Sequence, residues 1–347
     1  MYPDPSPRPI TLVIQIPCYN EGQVLAKTLA DLPREIPGVD RILVLVINDG
    51  STDNTEQVAL DNGVDYILRH RKNRGLANAF MSGLQTALAL GADIIVNTDA
   101  DNQYPGRYIA GMVEPILSRQ ADMVIGDRQP GKNQHFSPIK RRLEELGSWV
   151  IRKLSQTDAP DSVSGFRAFS RYAALRTQVY NSYSYTLETL ILAGQHRMNI
   201  QHVTIDTNPS TRSSRLHKGI LHFMWRQGGV IIRSYVLYKP LETFLGVGIP
   251  FGLLGAFFLL RFLYFYLIGD TGVGRYIQSV SIGGTLLVFS LLLVTLGLIG
   301  DAVRANRKTM EEIMVRLRDE TRIGALDDEF MGATLIRNEM QYVKETI

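Results

Sequence analysis

Two aspartates and a glutamine follow an apolar run in the segment VNTDADNQYPG, residues 96–106. Asp99 and Asp101 are two positions apart, so both carboxylates leave the same face of an extended chain. Like charges held that close repel each other unless a cation lies between them. Carboxylate and amide oxygens suit Mg²⁺ or Mn²⁺. We therefore expect a divalent cation bound by Asp99 and Asp101, with Gln103 as a third ligand.

A calcium loop and a solvated turn are the alternative interpretations of this segment. An EF-hand loop starting at Asp99 would place Tyr104 at position six and Ala110 at position twelve. Those positions require Gly and Glu, so the calcium loop is excluded. A solvated turn before Pro105 and Gly106 remains the alternative to a cation site.

Apolar runs alternate with helical patterns through the first half of the chain. Continuous Val, Ile and Leu runs that alternate with helices indicate an α/β fold whose mostly parallel sheet is covered on both faces. The predicted strands are 11–17, 41–49, 65–70, 92–101 and 121–128, and the predicted helices include 21–32, one capped by Ser51, Thr52 and Asp53, and 75–90.

Polar clusters close or follow these strands, as CYNE, NDGSTDN, RKNRG, DADNQ and GDR. Ligands of doubly wound sheets bind outside the carboxyl ends of the strands, so the clusters predict a site at that edge. The chain contains neither G-x-G-x-x-G after its first strand nor G-x-x-x-x-G-K-[ST]. A dinucleotide fingerprint and a phosphate-cradling P-loop are therefore not supported.

Two apolar segments near the end of the chain are long enough to cross a bilayer. The first, about 243–268, carries only Arg261, and the second, about 277–300, carries no charge. A span needs about 20 residues for a hydrocarbon core of about 30 Å. Buried core helices are the alternative. Basic residues flank the pair on both sides, so the positive-inside rule places both flanks in the cytoplasm.

These patterns predict four regions, which are 1–210, 211–240, 241–301 and 302–347. The first is the cytoplasmic catalytic domain, with an amphipathic interface helix at 137–156. The second is an amphipathic membrane-interface region, because it is rich in aromatic and basic residues. The third contains the two spans. The fourth is a cytoplasmic tail whose helix MEEIMVRLRDE is a candidate for pairing protomers in a homo-oligomer.

Composition limits the class of partner. The net charge is only +3, which gives no support for a nucleic-acid partner. The single cysteine, Cys18, excludes a disulfide framework and fits a reducing compartment. The first ten residues are Pro-rich and lack an apolar h-region, so no secretory signal peptide is expected.

Four motifs in chain order carry a resemblance to a known family. They are PCYNE at 17–21, NDGSTD at 48–53, Asp99-Ala100-Asp101, and DSVSGFRAFSR at 161–171. Together they resemble the family 2 glycosyltransferases of the GT-A fold. With the two apolar spans, the chain is similar to the polyprenyl-phosphate glycosyltransferases, which include dolichol-phosphate mannose synthases and bactoprenol-phosphate glucosyltransferases. The resemblance covers about residues 8–310.

The resemblance implies an inverting transfer of a hexose from a nucleotide sugar to undecaprenyl or another polyprenyl phosphate. It favours UDP-glucose as donor, and Mg²⁺ or Mn²⁺ on the diphosphate. The expected place is the cytoplasmic face of the inner (plasma) membrane. A helix cap is the alternative role for Asp49, and an ordinary surface arginine is the alternative for Arg74. The implied nucleotide-sugar residues are Pro17, Tyr19, Asn20, Glu21, Asp49, Ser51, Arg74, Asp99, Ala100 and Asp101.

The lipid phosphate acceptor changes what the protein must supply. Its second pKa is about 6, so it is already mostly dianionic near neutral pH and needs no deprotonation. We therefore expect Asp161 to orient Arg167 or the donor sugar rather than to act as an obligatory base. The predicted catalytic residues are Asp101, Asp161, Arg128 and Arg167. The predicted acceptor-phosphate residues are Arg128, Arg141, Arg212, Arg215 and Lys218, for which a solvated basic face is the alternative.

Two other functions remain open at this level. A processive polysaccharide synthase of the same fold would carry a Q-x-x-R-W motif and more spans, and the chain has neither. A non-catalytic membrane scaffold that retains the fold is the second alternative. Metal-dependent release of UDP in the presence of polyprenyl phosphate separates these functions.

Overall fold

A computed structural model describes residues 8–129, 161–179, 185–209, 236, 239–269, 276–320, 329–330 and 333–338. The chain divides into two compact units. The first contains Met1–Leu216 together with Met314–Ile347, and the second contains His217–Ile313. The amphipathic helix predicted at 137–156 lies outside the described residues, as does nearly all of the interface region predicted at 211–240.

One mixed sheet of nine strands organises the first unit. Its order is β7-β5-β6-β4-β1-β2-β3-β9-β8. The strands β1 to β4 are mutually parallel, and β5 pairs with β7 in parallel. The strands are β1 (Thr11–Cys18), β2 (Arg41–Asn48), β3 (Tyr66–His70), β4 (Ile94–Asn97), β5 (Met123–Asp127), β6 (Arg167–Ser170), β7 (Ile200–Thr204), β8 (Glu329–Phe330) and β9 (Ala333–Arg337).

Helices cover both faces of this sheet, because the central strands are apolar on both sides. On one face Leu45 packs with Phe80 and Leu84. On the other, Ile14 packs with Leu29. This confirms the predicted α/β fold. The helices of the first unit are α1 (Leu25–Ala30), α2 (Thr55–Asp61), α3 (Leu76–Ala89), α4 (Ile109–Leu117), α5 (Arg171–Arg176) and α6 (Thr186–Gln195).

The strand directions bring the predicted site residues to one edge. The carboxyl ends of β1 to β5 share that edge, since β4 and β5 both run antiparallel to β6. The first residue of β6, Arg167, pairs with Asn97 at the end of β4. The segment that precedes β6 therefore meets the loops that follow the parallel strands. This agrees with the edge predicted from the polar clusters.

The strand that precedes the two aspartates is shorter than predicted. β4 ends at Asn97, and the chain turns at Asn102, whose φ is 55°. The Gln103 backbone N–H donates to Asp101 Oδ1 over 3.1 Å. The inference that Asp99, Asp101 and Gln103 share a face of extended chain is therefore wrong, because the polar side chains close a turn instead.

The C-terminal segment is part of the sheet rather than a separate tail. β9 pairs antiparallel with β3, and Ala333 lies opposite His70. The Asn338 N–H donates to Asp65 O over 3.0 Å. The predicted boundary at 302 is therefore wrong for this strand. Unpaired strand edges attract other chains, and here the chain's own end covers the β3 edge.

Two long helices follow, α7 (Pro240–Leu267) in the second unit and α8 (Ile277–Glu320), of which the residues up to Ile313 belong to the second unit. Both are long and apolar enough to cross a membrane, and few side chains of their apolar stretches are buried. The second predicted span is the start of α8, which continues without a break into the predicted tail helix. A Cβ added to Gly283 would lie 2.9 Å from Gly255 O, so the glycines permit close helix contact.

Candidate active site

The loop after β1 is fastened to the loop after β2. Asn20 adopts φ 55°, and its backbone N–H donates to Ser51 Oγ over 3.0 Å. Asn20 Oδ1 accepts the Thr52 N–H over 2.8 Å. Glu21 lies buried next to this junction, while Tyr19 is 42% exposed on the rim. The predicted PCYNE and NDGSTD residues therefore form one contiguous wall.

Asp49 is buried at the end of β2 and receives three hydrogen bonds from the chain. His70 Nδ1 lies 2.7 Å from Oδ1, and the Arg74 N–H donates to the same oxygen over 2.9 Å. The Gly75 N–H donates to Oδ2 over 2.9 Å. A carboxylate offers about four acceptor positions, so about one remains, on Oδ2. Asp49 fixes the loop before α3 and is not a helix cap.

The residue after Asp49 is a glycine, Gly50, and its position leaves no room for a side chain. Its φ is +71°, and an added Cβ would lie 2.5 Å from the carbonyl carbon of Lys72. The loop before α3 therefore packs directly on the backbone of the loop after β2. Arg74 is exposed at the surface of this junction.

Asp99 and Asp101 lie in the turn after β4, and both are half-buried. Burial, followed by the charges of Asp101 and Glu21, raises the pKa of Asp99 to about 7 against the lowering effect of Arg128. Acidic groups that repel each other in a partly desolvated place gain most from a cation. Their electrostatics match the predicted divalent site.

The donor atoms near these carboxylates suit a cation that is shared with a substrate. Within the described parts of the chain, no three His, Cys, Asp or Glu side chains are grouped closely enough to hold a metal ion. Mg²⁺ is commonly held by one or two carboxylates together with substrate phosphates. The buried Asn102 Oδ1 beside Asp101 has no hydrogen-bond partner. This oxygen-rich, incomplete donor set fits a metal–diphosphate, and Gln103 stays a predicted ligand.

The segment before β6 lies against Asp99. A Cβ added to Gly165 would be 3.4 Å from both Asp99 carboxylate oxygens and 2.8 Å from Tyr185 Oη. Asn97 Nδ2 donates to Gly165 O and to Tyr185 Oη, each over 2.9 Å. The glycine of the DSVSG motif thus allows this segment to approach the acidic turn.

Arg128 and Asp161 form a two-pronged ion pair at the same edge. Arg128 Nε and Nη2 donate to the two carboxylate oxygens over 2.7 and 3.0 Å. The Arg128 N–H donates to Oδ2 over 3.2 Å, and the Ser164 N–H donates to Oδ1 over 3.1 Å. All of about four acceptor positions are therefore filled. Asp161 is 2% exposed and Arg128 is 27% exposed.

This pair decides what Asp161 can do. Burial raises its pKa, but the hydrogen bonds and charge of Arg128 outweigh that effect and hold the pKa below its ordinary value. A carboxylate with a lowered pKa and filled acceptor positions is a poor general base. The expectation that Asp161 orients another group agrees with this geometry, although its partner is Arg128 and not Arg167.

Arg167, which was predicted to be catalytic, is fully buried. Its guanidinium donates to the backbone oxygens of Ser162, Ser164 and Thr186 over 2.7–2.9 Å, and to the Thr189 hydroxyl. Burial lowers the pKa of Arg167 to about 10. Its predicted catalytic role is wrong, because the guanidinium fixes the backbone before β6 and is not presented to a ligand.

The remaining predicted residues divide into two groups. Pro17 and Ala100 are buried, and Ala100 O accepts the Thr28 hydroxyl over 2.7 Å, so they contribute backbone and packing. Four predicted phosphate ligands lie outside the described residues, namely Arg141, Arg212, Arg215 and Lys218. Sequence reasoning did not identify His70, Asn97 or Tyr185. The only signal for His70 was a polar residue at the end of the strand DYILRH.

Comparison with known proteins identifies the family of the chain. Residues 13–177 match the family model "Glycosyl transferase family 2". UDP-N-acetylglucosamine–dolichyl-phosphate N-acetylglucosaminyltransferase of Methanococcus voltae is 31% identical over 55% of this chain and 83% of that protein. Undecaprenyl-phosphate mannosyltransferase of Micrococcus luteus is 30% identical over 44% of this chain and 64% of that protein.

Two further similarities cover more of the chain at lower identity. Glycosyltransferase AglJ of Haloferax volcanii is 27% identical over 88% of this chain and 99% of that protein. Glucosyl-3-phosphoglycerate synthase of Mycobacterium tuberculosis, solved with Mn²⁺, UDP and glucosyl-3-phosphoglycerate, aligns with a TM-score of 0.48 and 19% identity over 65% of this chain and 79% of that one. The latter similarity is too low to support an inference about ligands. By its family match and its relatives, the chain belongs to glycosyl transferase family 2.

Proposed function

We propose that the protein transfers a hexose from a UDP-sugar to a polyprenyl phosphate, with inversion, at the cytoplasmic face of the inner membrane. The observation that carries this proposal is the Arg128–Asp161 pair beside the acidic turn. It offers a fixed cation where an acceptor would approach, and the Asp161 carboxylate is already occupied by hydrogen bonds. A phosphate acceptor needs a cation, whereas a hydroxyl acceptor needs a base.

The proposal of a phosphate acceptor substrate is supported by the Arg128 N–H groups that the pair with Asp161 does not use. The pair with Asp161 engages Nε and Nη2, which leaves three of the five guanidinium N–H groups outside it. Guanidinium groups suit phosphate through their paired, planar donors. The names of the relatives, which include dolichyl-phosphate and undecaprenyl-phosphate transferases, support a lipid phosphate.

The proposal of a UDP-linked donor is supported by the hydrogen-bond acceptor position that Asp49 retains on Oδ2. Uracil presents one imide N–H at its hydrogen-bonding edge, which matches one remaining acceptor position. Guanine presents two adjacent donors and would require both oxygens of a carboxylate. This favours a UDP-linked donor over a GDP-linked one. Glucose remains the sequence-based expectation for the sugar.

The reaction needs no proton transfer to the protein. A phosphate oxygen attacks the anomeric carbon as the bond from that carbon to the diphosphate breaks on the opposite side. Asp99 and Asp101 would hold a divalent cation, which would supply charge stabilisation for the departing diphosphate. Arg128 holds the acceptor, and Asp161 keeps Arg128 in place. The chain thus contributes positioning and charge.

A donor and acceptor screen tests this proposal. Protein purified in detergent with Mn²⁺ is given UDP-glucose, UDP-N-acetylglucosamine or GDP-mannose, with undecaprenyl phosphate or undecaprenol as acceptor. We expect a glycosylated lipid, measured by mass spectrometry, only with a UDP-sugar and the phosphorylated lipid. Arg128→Ala should raise the KM for the lipid about tenfold or more. Arg41→Ala, at the opposite edge of the sheet, is the matched control.

The proposal fails on either of two results. Product formed equally well from undecaprenol would show that the acceptor phosphate is not recognised. Absence of product with every donor, although the protein binds Mn²⁺ and UDP, would show that the reaction itself is misassigned.

A further inference from the structure

His70 is the last residue of β3, and its ring is completely buried. Both ring nitrogens have partners, because Nδ1 lies 2.7 Å from Asp49 Oδ1 and Nε2 lies 3.1 Å from Ser82 Oγ. Asp49 already accepts two backbone N–H groups, so it acts as an acceptor here. Nδ1 therefore carries the hydrogen of the bond to Asp49, and Nε2 pairs with the Ser82 hydroxyl.

These contacts form a chain of hydrogen bonds from α3 to the loop that precedes it. Ser82, in α3, is hydrogen-bonded to His70, His70 donates to Asp49, and Asp49 accepts the backbone N–H groups of Arg74 and Gly75. α3 begins at Leu76, directly after those two amides. This chain of hydrogen bonds thus fixes the loop before α3 relative to the end of β2.

We propose that His70 is a positioning residue for the donor nucleotide, which acts by holding Asp49 and, through it, the Arg74–Gly75 backbone. This inference rests on the proposed function, since it takes this edge as the nucleotide site. His70 itself is buried and does not contact the nucleotide. Its donor leaves Asp49 with one open acceptor position on Oδ2, at a fixed orientation.

The burial of the His70 imidazole explains why its hydrogen bond to Asp49 matters. Asp49 is 3% exposed, so water has little access to replace a lost donor. A buried acceptor left without its partner costs more than the average hydrogen bond, and the carboxylate would turn toward another donor. Gly50 packs on the Lys72 backbone, so a shift of Asp49 is transmitted to the whole loop.

The position of His70 in the sheet also fixes its ring. Its backbone pairs with Ala333 of β9, and Ala333 is completely buried. The end of the chain therefore covers the strand that carries the ring. His70 therefore lies between Asp49, at the proposed nucleotide site, and β9, and all three belong to the first unit.

Two substitutions separate the donor of His70 from its bulk. In His70→Asn the amide nitrogen takes the place of Nδ1 and restores the bond to Asp49. In His70→Gln the amide reaches the place of Nε2 and leaves Asp49 without that donor. Thr86→Val is the control, because Thr86 is buried on the same helix and its hydroxyl donates only to Ser82 O.

Binding of UDP with Mn²⁺ is measured by calorimetry on folded protein, with thermal unfolding recorded for each variant. We expect His70→Gln to weaken UDP binding about tenfold and to raise the donor KM equally, with kcat within about twofold. His70→Asn and Thr86→Val should stay within about threefold of the wild type. Undiminished affinity in His70→Gln, or equal losses in both His70 variants, would overturn the proposal.

Amide hydrogen exchange without ligand provides a second test that does not depend on the proposed function. The peptide 71–76 should exchange about tenfold faster in His70→Gln than in the wild type, and unchanged in Thr86→Val. Unchanged exchange in His70→Gln would overturn the positioning role. If the wild type binds no uridine nucleotide, the proposed function fails, while the exchange result still decides whether His70 fixes this loop.

Discussion

At the scale of single residues, the site combines an acidic half with a basic half. Asp99 and Asp101 repel each other in a partly buried turn, and Arg128 is held beside them by Asp161. The acidic half is suited to a metal–diphosphate, and the basic half is suited to an anionic acceptor.

Cation binding should depend on pH through Asp99. The pKa of Asp99 is raised to about 7, so the protonated form becomes the major form as the pH falls below 7. A cation must then displace that proton in order to bind. We expect Mn²⁺ affinity, measured by electron paramagnetic resonance, to fall about tenfold from pH 8 to pH 6. Asp61→Asn, on the exposed end of α2, should leave this dependence unchanged. An affinity that is flat over this interval contradicts the assignment.

The sequence predicted residue types better than residue partners. The D-x-D pair and a cation at Arg128 were predicted from the motifs, and the acceptor implied by the family resemblance led to the prediction that Asp161 is not an obligatory base. The partner of Asp161 could not be predicted, because Arg128 and Arg167 are both near it in the fold and only burial separates them. His70 was missed because a histidine at the end of a strand carries no spacing signal.

At the scale of elements, long apolar strands were predictable and short covered ones were not. β1 and β2 are eight-residue runs of mostly apolar residues, and their predicted and observed bounds differ by one residue. β6 has four residues, and its motif predicted a site rather than a strand. β9 lies in a charged region, so its sequence ATLIR was not recognised as the closing strand of the sheet.

The contribution of β9 is testable at one position. Ala333 is completely buried opposite His70, so Ala333→Leu should overpack that site and reduce the free energy of unfolding by about 1–3 kcal/mol. Thr334→Leu is the control, because Thr334 is exposed on the same strand and should change stability by less than about 0.5 kcal/mol. Chemical denaturation of the detergent-solubilised protein measures both. Equal stabilities would show that β9 does not pack on the sheet.

The contact between α7 and α8 gives a second matched pair. A side chain at Gly283 would meet Gly255 O and Leu259, whereas nothing lies within 4 Å of a Cβ at Gly284. Gly283→Leu should therefore separate the helices and lower the unfolding temperature in detergent, by several degrees relative to Gly284→Leu. The reverse order of the two variants would contradict the observed packing.

At the scale of the whole molecule, an apolar helical pair is inserted in the sequence between two parts of one catalytic unit. The helices were predictable because apolar runs of that length are rare in soluble domains. The return of the chain to the sheet was not, since it depends on pairing between residues that are far apart in sequence. The tail helix, expected to pair protomers, is continuous with α8.

The proposed orientation can be tested by cysteine labelling, since Cys18 is the only cysteine and is buried. A membrane-impermeant maleimide applied to intact cells should label Thr271→Cys, between the two spans in the sequence. Lys308→Cys should react only after lysis. Labelling of Lys308→Cys in intact cells would reverse the orientation.

The central claim is that Arg128 positions an anionic acceptor and that Asp161 does not act as a base. It is tested most directly by kcat and KM of Asp161→Asn at saturating UDP-sugar and undecaprenyl phosphate. Because Asp161 acts through Arg128, we expect kcat to fall about 10- to 100-fold and the acceptor KM to rise, with measurable turnover retained. A loss of about 10⁴-fold in kcat with both KM values unchanged would identify Asp161 as the general base and contradict the account.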